Sequence, residues 1–427
     1  MIIHHACKTD VGRVRSRNED NMSFAPDLGL FIVADGMGGH SGGDQASREA
    51  CLAIEDHVRG HTALVSGLSR SPTYAAKREV LRLLKDASRS ANDRILLEAD
   101  LHPDLAGMGS TVVALLVAGD KAFVASVGDS RAYLIRDGTI ALLTEDHSLF
   151  FELIRQGRMT RAAAARFPYK NVVTRALGMR GVIEADCFDL DVLPGDRLVL
   201  CTDGLHGVVD DETILAIAGT GPVQQAVDEL VARANEAGGP DNITVMIVEV
   251  LRIDQDPEVV RQRNAATQSL DIFQGLSLAE WIRLLSVCQV RTFRDKEVVF
   301  RDGEVGDGLY GVVSGSVEVK RGGKPIQVFG PGTHFGELSL VEEMPRLASG
   351  VAHGPTEVII LQKRTFDALL RVWPQTSAKL LRNLVLILSR RLRKTNDELV
   401  VLKTTYDAER MAVPAVISSD ELVEEVL

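Results

Sequence analysis

Apolar runs that stop at an aspartate recur through the first 250 residues of this chain. "LFIVADG" ends at Asp35, "FVASVGD" at Asp129 and "LVLCTDG" at Asp203, while "GPDNITVMIV" reverses the order and sets Asp241 ahead of its run. "RNED" adds Glu19 and Asp20. Short runs rich in Val, Ile and Leu read as buried strands, so each carboxylate is expected at a sheet edge or a sandwich rim. Taken singly, Asp-Gly and Gly-Asp are turn dipeptides and need no further role. Gathered on one rim, the carboxylates would repel one another unless cations lay between them. Oxygen ligands without paired His or Cys select hard ions such as Mg²⁺ or Mn²⁺ over Zn²⁺.

The rest of this region alternates strands with helical stretches. Residues 44–60, 74–100 and 222–237 have helical spacing, and several strands meet at Gly-Asp or Asp-Gly turns. Hairpins with helices in blocks indicate an α+β fold, a β-sandwich flanked by helices, over 1–251. The polar stretch 252–269, "RIDQDPEVVRQRNAATQS", reads as a linker. A second unit over 270–410 opens with a helical stretch at 278–288. Short alternating strands follow, with glycine at nearly every turn, the pattern of a β-roll or jelly roll. From Ser377 a long helix places Leu380, Leu384, Leu388 and Leu392 on one stripe. Such a stripe packs on its own domain or pairs with a second copy as a homodimer. The acidic end, 411–427, is expected to be disordered.

At 427 residues the chain is too long for one ordinary core. A net charge of -11 disfavours nucleic acid as a partner. Cys7, Cys51, Cys187, Cys201 and Cys288 are scattered without a CxxC pair, which fits a reducing compartment and no thiolate zinc site. No apolar run approaches the ~20 residues that span a bilayer, and "MIIHHACKTDVGR" lacks a secretion signal's pattern. The expected location is the cytoplasm, with no membrane partner.

Two divalent ions ~4 Å apart can activate a bridging water and clamp an in-line displacement at phosphorus. "GRVRSRNED" offers Arg13, Arg15 and Arg17 to hold the phosphate's other oxygens. Cys7 to Arg13 has the C-x5-R spacing of cysteine-based phosphatases, but only Gly12 lies between them as glycine. That chemistry needs a glycine-rich cradle at a helix N-terminus, so Cys7 is read as a buried strand residue. No GxxxxGK[ST] is present, so the glycine loop after Asp35 is not a nucleotide P-loop.

The ordered set "RVRSRNEDN", "VADGMGGHSGG", "GMGSTVV", "VGDSRAYLIRDG", "LTEDHS", "NVVTRALG", "LVLCTDGLHGVVDDETI" and "GGPDNITVMIV" resembles the bacterial branch of the metal-dependent Ser/Thr protein phosphatases of type 2C. It covers about residues 5–250. The resemblance implies a two-metal site at one end of the sandwich, with Asp35 bridging both ions and the Gly36 carbonyl helping to hold one. It assigns Asp203 and Asp241 to the other ion, Glu19 and Asp20 as inner or outer ligands, and Arg15 to the phosphate. Asp129, with Asp203, matches the ligands of a weaker third metal. Met37 stands where many eukaryotic members carry a histidine proposed as general acid. Nearby His40 is not assigned that role, so the proton donor stays unnamed. The flap, "LIRQGRMTRAAAARFPYKNVVTRALG", is more basic than is usual in the family, which bears on substrate preference.

In the second unit "FGELSLVEEMPRLAS" combines a glycine turn, a glutamate, one helical turn and Pro-Arg. Helical-turn amides and Arg346 suit a cyclic phosphate diester, and Glu337 suits a ribose hydroxyl. On spacing alone, a structural Glu337–Arg346 salt bridge explains the stretch equally well. The segment 270–375 resembles a cyclic nucleotide-binding domain, which implies contacts from Gly336, Glu337, Leu338, Arg346, Leu347 and Ser349. It also implies that the helix after Ser377 is a hinge and lid. Leu347 stands where cGMP-selective members often carry threonine, so cAMP is favoured. The whole reads as a Mn²⁺- or Mg²⁺-dependent phosphatase of phosphoserine and phosphothreonine in proteins, acting through a metal-activated bridging water and regulated by a cyclic nucleotide. The competing readings are a catalytically weak scaffold and a β-roll that only docks partners.

Overall fold

The computed structural model describes residues 1–38, 42–70, 73–155, 158–159 and 172–412. In chain order the first unit runs β1 (Ile2–Asp10), β2 (Asp20–Ala25), β3 (Leu30–Met37), α1 (Gly42–Arg59), α2 (Thr62–Arg70) and α3 (Tyr74–Leu101). Then come β4 (Gly109–Ser110), β5 (Val112–Ala118), β6 (Lys121–Val127), β7 (Arg131–Arg136), β8 (Thr139–Leu142), α4 (Leu149–Arg155) and β9 (Asp186–Asp191). It closes with β10 (Arg197–Cys201), α5 (Asp203–His206), α6 (Asp211–Ala218), α7 (Val223–Glu236) and β11 (Ile243–Arg252). Two antiparallel sheets result, ordered β1-β11-β10-β7-β8 and β2-β3-β5-β6-β9, with β4 beside β3.

The helical stretches read at 44–60, 74–100 and 222–237 match α1, α3 and α7 within two residues, while α2, α4, α5 and α6 lie outside that reading. The turns behave as their residues require. Gly119-Asp120 joins β5 to β6, and Asp137-Gly138 joins β7 to β8, each with positive φ at both positions, the geometry of a two-residue hairpin. Strands β2 and β9 lie outside the sequence expectation, because neither edge strand is an apolar run: β2 reads "DNMSFA", and "DCFDLD" of β9 carries three aspartates.

Strand β3 shows why the apolar runs are unbroken. Phe31 and Val33 face the interior between the sheets, while Leu30, Ile32 and Ala34 face α1 and α3. A strand covered on both sides has no polar face. The other sheet is covered by α6 and α7 in the same way. Cys7 was expected to be buried. It is only half-buried, packing at the margin of the core on β1, and burial pushes its thiol up, away from a nucleophilic thiolate.

The segment read as a linker is largely the helix α8 (Pro257–Gln268). Asp256 caps it by accepting from the Glu258 N–H, with Pro257 following, a strong helix start. Val260 is buried, and Arg263 pairs with Glu357 at 3.0 Å. α9 (Leu278–Val287) follows, opened by a capping box of Ser277 and Glu280. The second unit continues through β12 (Gln289–Phe293), β13 (Val298–Phe300), β14 (Gly308–Arg321), β15 (Lys324–Phe329), β16 (His334–Phe335) and β17 (Ser349–Gln362). These form one antiparallel sheet around Phe300, Tyr310, Phe329 and Phe335. α10 (Lys363–Val372) and α11 (Pro374–Ala412) end the described chain. One continuous apolar core runs from the sandwich interior through Trp281 to Leu384, so the two units pack against each other.

The leucine stripe of α11 departs from expectation. Leu380 and Leu384 are buried and Leu388 is half-buried, but Leu392 is 63% exposed. A row spaced by four drifts ~40° per step around a helix, which carries Leu392 off the buried face. No helix among the described residues is long and apolar enough to cross a membrane. Residues 413–427 of the acidic end lie outside the described residues.

Candidate functional site

Strand parity decides where the carboxylates point. Asp35 has the same parity as Phe31 and Val33, so at the end of β3 it turns into the mouth between the sheets. Asp20 is its register partner across β2–β3. Thr202 and Thr244 keep the inward parity of Leu200 and Met246, and both bond the same Asp20 Oδ2, from Oγ1 atoms at 2.9 and 2.7 Å. Asp203 opens α5 directly after β10, and Asp241 precedes β11. Asp129 lies in the turn from β6 to β7. All these positions sit at one end of the sandwich.

The backbone of Asp35 is held by three bonds. The Thr111 N–H donates to the Asp35 carbonyl at 2.8 Å, and Thr111 Oγ1 accepts from the Asp35 N–H at 3.0 Å. Ser110 Oγ donates to the same carbonyl at 3.0 Å. The Asn242 side chain accepts from the Glu19 N–H at 2.8 Å and donates to the carbonyls of Val11 and Arg17. It thereby ties the arginine-rich loop to the start of β11. Arg15 Nη2 reaches Asp241 Oδ2 at 2.8 Å. Thr111, Thr202, Thr244 and Asn242 escaped the sequence reading, although parity along each strand would have found the threonines.

The glycines after Asp35 have a local cause. A Cβ on Gly36 would lie 2.0 Å from the Gly43 carbonyl oxygen and 2.6 Å from that of Glu19. The strand end, the start of α1 and the Glu19 segment therefore touch backbone to backbone. Met37 pairs with Gly109 of β4. His40 and residues 156–157 and 160–171 of the flap lie outside the described residues.

Burial first, and then mutual repulsion, pushes the carboxyls of Asp20, Asp35, Asp129 and Asp203 up. Asp20 and Asp129 rise to about 7, the first against its two threonine bonds, and Asp203 rises to about 6. Asp35 is raised well above its ordinary value, with Asp20, Asp203, Asp129 and Asp241 all contributing. Burial also raises Glu19. Burial pushes His206 down to about 3, so its neutral ring donates from Nε2 to the Asp129 carbonyl at 3.0 Å. Asp20 Oδ1 and Asp203 Oδ1 are buried without a hydrogen-bond partner. Among the described residues, no group of three or more His, Cys, Asp or Glu is arranged to hold an ion outright. An oxygen-only, mutually repelling set with orphaned oxygens fits a hard divalent ion that keeps much of its water, bound through one or two carboxylates.

In the second unit Gly336 takes φ 79° and leads into the 3-10 turn Glu337–Leu340. Glu337 is buried, with Oε2 unpartnered. Arg391 of α11 donates to its Oε1. Arg346 donates to Asp307 at 2.9 Å and lies over the rings of Phe300 and Tyr310. Glu337 and Arg346 are thus paired to other residues, not to each other. Leu338 and Leu347 are exposed, and Ser349 Oγ accepts from the Asp302 N–H at 2.9 Å.

Residues 13–247 match the family model of protein phosphatase 2C, and residues 290–372 match that of the cyclic nucleotide-binding domain. The chain is 39% identical over 253 residues to the serine/threonine phosphatase stp of Listeria welshimeri, across 58% of this chain and 96% of that protein. The crystal structure of the Mycobacterium tuberculosis serine/threonine phosphatase PstP/Ppp is similar with a TM-score of 0.53 and 33% identity, over 59% of this chain and 100% of that one. The catalytic domain of PstP, solved in complex with 2 manganese ions, is similar with a TM-score of 0.51 and 34% identity, over 58% of this chain and 99% of that one.

Proposed function

The chain belongs to the protein phosphatase 2C family, and from that premise we propose that it hydrolyses phosphoserine and phosphothreonine in proteins under the control of a cyclic nucleotide. The observation that carries the enzymatic reading is the convergence of Asp20, Asp35, Asp129, Asp203 and Asp241 on one rim, with buried oxygens left unpartnered. Asp35, Asp203 and Asp241 are the residues to hold the principal metals, with the Gly36 carbonyl, Glu19, Asp20 and Asp129 supporting. Bound there, Mn²⁺ or Mg²⁺ supplies an activated water and neutralises phosphoryl charge.

The chain's own residues do the rest. Arg15 spends one donor on Asp241 and keeps others for the phosphate oxygens. Thr202 and Thr244 fix the rotamer of Asp20. Thr111 and Ser110 pin the backbone of Asp35, so that its carboxylate stays aimed into the mouth. The catalytic unit is taken as 1–251 and the sensor as 270–410, in the cytoplasm. In the sensor, Arg346 takes the cyclic phosphate and Glu337 a ribose hydroxyl. Leu347 provides no hydroxyl, which favours cAMP over cGMP.

A phosphopeptide assay with Mn²⁺, run with and without each nucleotide, tests both halves. Turnover that Asp203→Ala abolishes, and that cAMP changes, is expected. Absence of turnover would leave a scaffold. For the sensor, calorimetry should give cAMP heat that Arg346→Ala removes, and heat indifferent to that change would leave a docking module.

A further inference from the structure

The long helix α11 carries two apolar faces. One, with Leu380, Leu384 and Ile387, is buried in its own unit. The other is open. Leu381 is 39% exposed, Val385 65%, Leu392 63%, Leu399 56% and Leu402 65%. Every residue from Arg390 to Thr405 is exposed. Arg390 and Arg391 still reach Asp271 and Glu337 of the same chain, and from Leu392 onward about four turns of helix extend from the body as the described residues show it. A helix of that length standing alone is marginal in water.

The open face has a definite period. Positions 381, 385, 388, 392, 395, 399 and 402 alternate steps of four and three, the 3.5-residue repeat of a coiled-coil seam. Leu388 lies at the margin of this face, half-buried against its own unit. Val385, Leu392 and Leu399 take the a positions, and Leu381, Leu388, Thr395 and Leu402 the d positions. Leucine at d with β-branched valine at an a position suits two parallel strands.

The flanking charges choose the partner. Glu398 falls at g and Lys403 at the following e, the two sites that face each other between parallel chains. An antiparallel pair would set g against g and e against e, so Glu398 and Lys403 would not face each other. Arg391, the preceding g residue, is held by Glu337 of its own chain, and its facing e residue is the neutral Asn396.

We propose that two copies of this chain associate through a parallel coiled coil of residues 381–402, with Glu398 of each facing Lys403 of the other. This does not depend on the nucleotide reading.

Sedimentation equilibrium of the full chain tests it. The expected mass is twice the 46.4 kDa of one chain. Leu392→Glu with Leu399→Glu should give the single-chain mass, with the thermal transition of the body and Mn²⁺-supported turnover per chain retained. Glu398→Lys should weaken association about fivefold, and adding Lys403→Glu should restore it. A single-chain mass for the native protein at tens of micromolar would overturn the proposal, as would a dimer indifferent to the double glutamate change. Failure of Lys403→Glu to rescue would overturn the parallel register.

Discussion

Arg283 of α9 donates from Nε and Nη2 to the Leu143 carbonyl at 2.9 and 2.7 Å, joining the second unit to the first. Its Nη1 also donates to Glu145. The loop so gripped continues to Asp146, which holds Arg131 through two bonds. It then reaches His147, whose N–H donates to the Gly128 carbonyl at 2.9 Å, one residue before Asp129. At the other end of α9, Glu280 accepts from Lys379 and Thr376 at the start of α11. The helix that carries Arg391 is therefore linked to the loop beside Asp129 through a single short helix.

Replacing Arg283 with alanine should lower the unfolding free energy by about 1.5–3 kcal/mol, the range for a charged hydrogen bond. Denaturant unfolding measures this. Nucleotide should also cease to change the rate, while basal turnover on a phosphopeptide persists. A nucleotide response equal to that of the native chain would remove Arg283 from the route, since spatial continuity alone does not establish coupling.

Asp35→Asn should act in opposite directions on stability and activity. In metal-free protein the substitution removes the cost of burying the charge and, after it, repulsion from Asp20, Asp203, Asp129 and Asp241, so the unfolding temperature should rise. Added Mn²⁺ stabilises only what it binds, so its further increment should vanish along with turnover. Calorimetric scans with and without Mn²⁺ test this, and an unchanged metal increment would remove Asp35 from the ligand set.

Gly36→Ala should destabilise the protein by about 1–3 kcal/mol or more, the range for overpacking. The added Cβ meets backbone oxygens of Gly43 and Glu19, which cannot rotate away. Native thermal stability in the alanine variant would contradict the backbone contact described here.

Acid stability should depend on Asp191, which pairs with Lys121. Burial by itself raises this carboxyl, but Lys121 and then Arg263 outweigh it and hold the group at about 2, below its ordinary 3.8. A carboxyl depressed by folding adds stability that is complete above the unfolded value and disappears as pH falls through the folded value. Stability should thus decline progressively, most steeply between the unfolded value of 3.8 and the folded value of about 2, by about 2.5 kcal/mol over the whole span from about pH 5 to about pH 1. Urea midpoints across that window should show the step in the native chain and a smaller one in Asp191→Asn.

The architecture was legible because it rests on local signals. Apolar runs closed by Gly-Asp and Asp-Gly turns define the sandwich hairpins, and glycine-punctuated alternation defines the roll. The ordered aspartate motifs pointed to the carboxylates at the rim. Local signals also carried the information that was overlooked. Asp256-Pro257 is a helix start, yet polar composition concealed α8 within an expected linker.

Other features exist only once distant segments meet. Gly36 is glycine because the start of α1 and the Glu19 segment close on it, which a glycine-rich loop read alone does not reveal. Asp20 is held by threonines 182 and 224 residues away. Glu337 and Arg346, eligible as mutual partners by spacing, are instead paired with Arg391 and Asp307. Periodicity and turn chemistry act over a few residues and so can be read along the chain. Charge pairing and close backbone approach depend on separations that the packed sheets and helices alone determine.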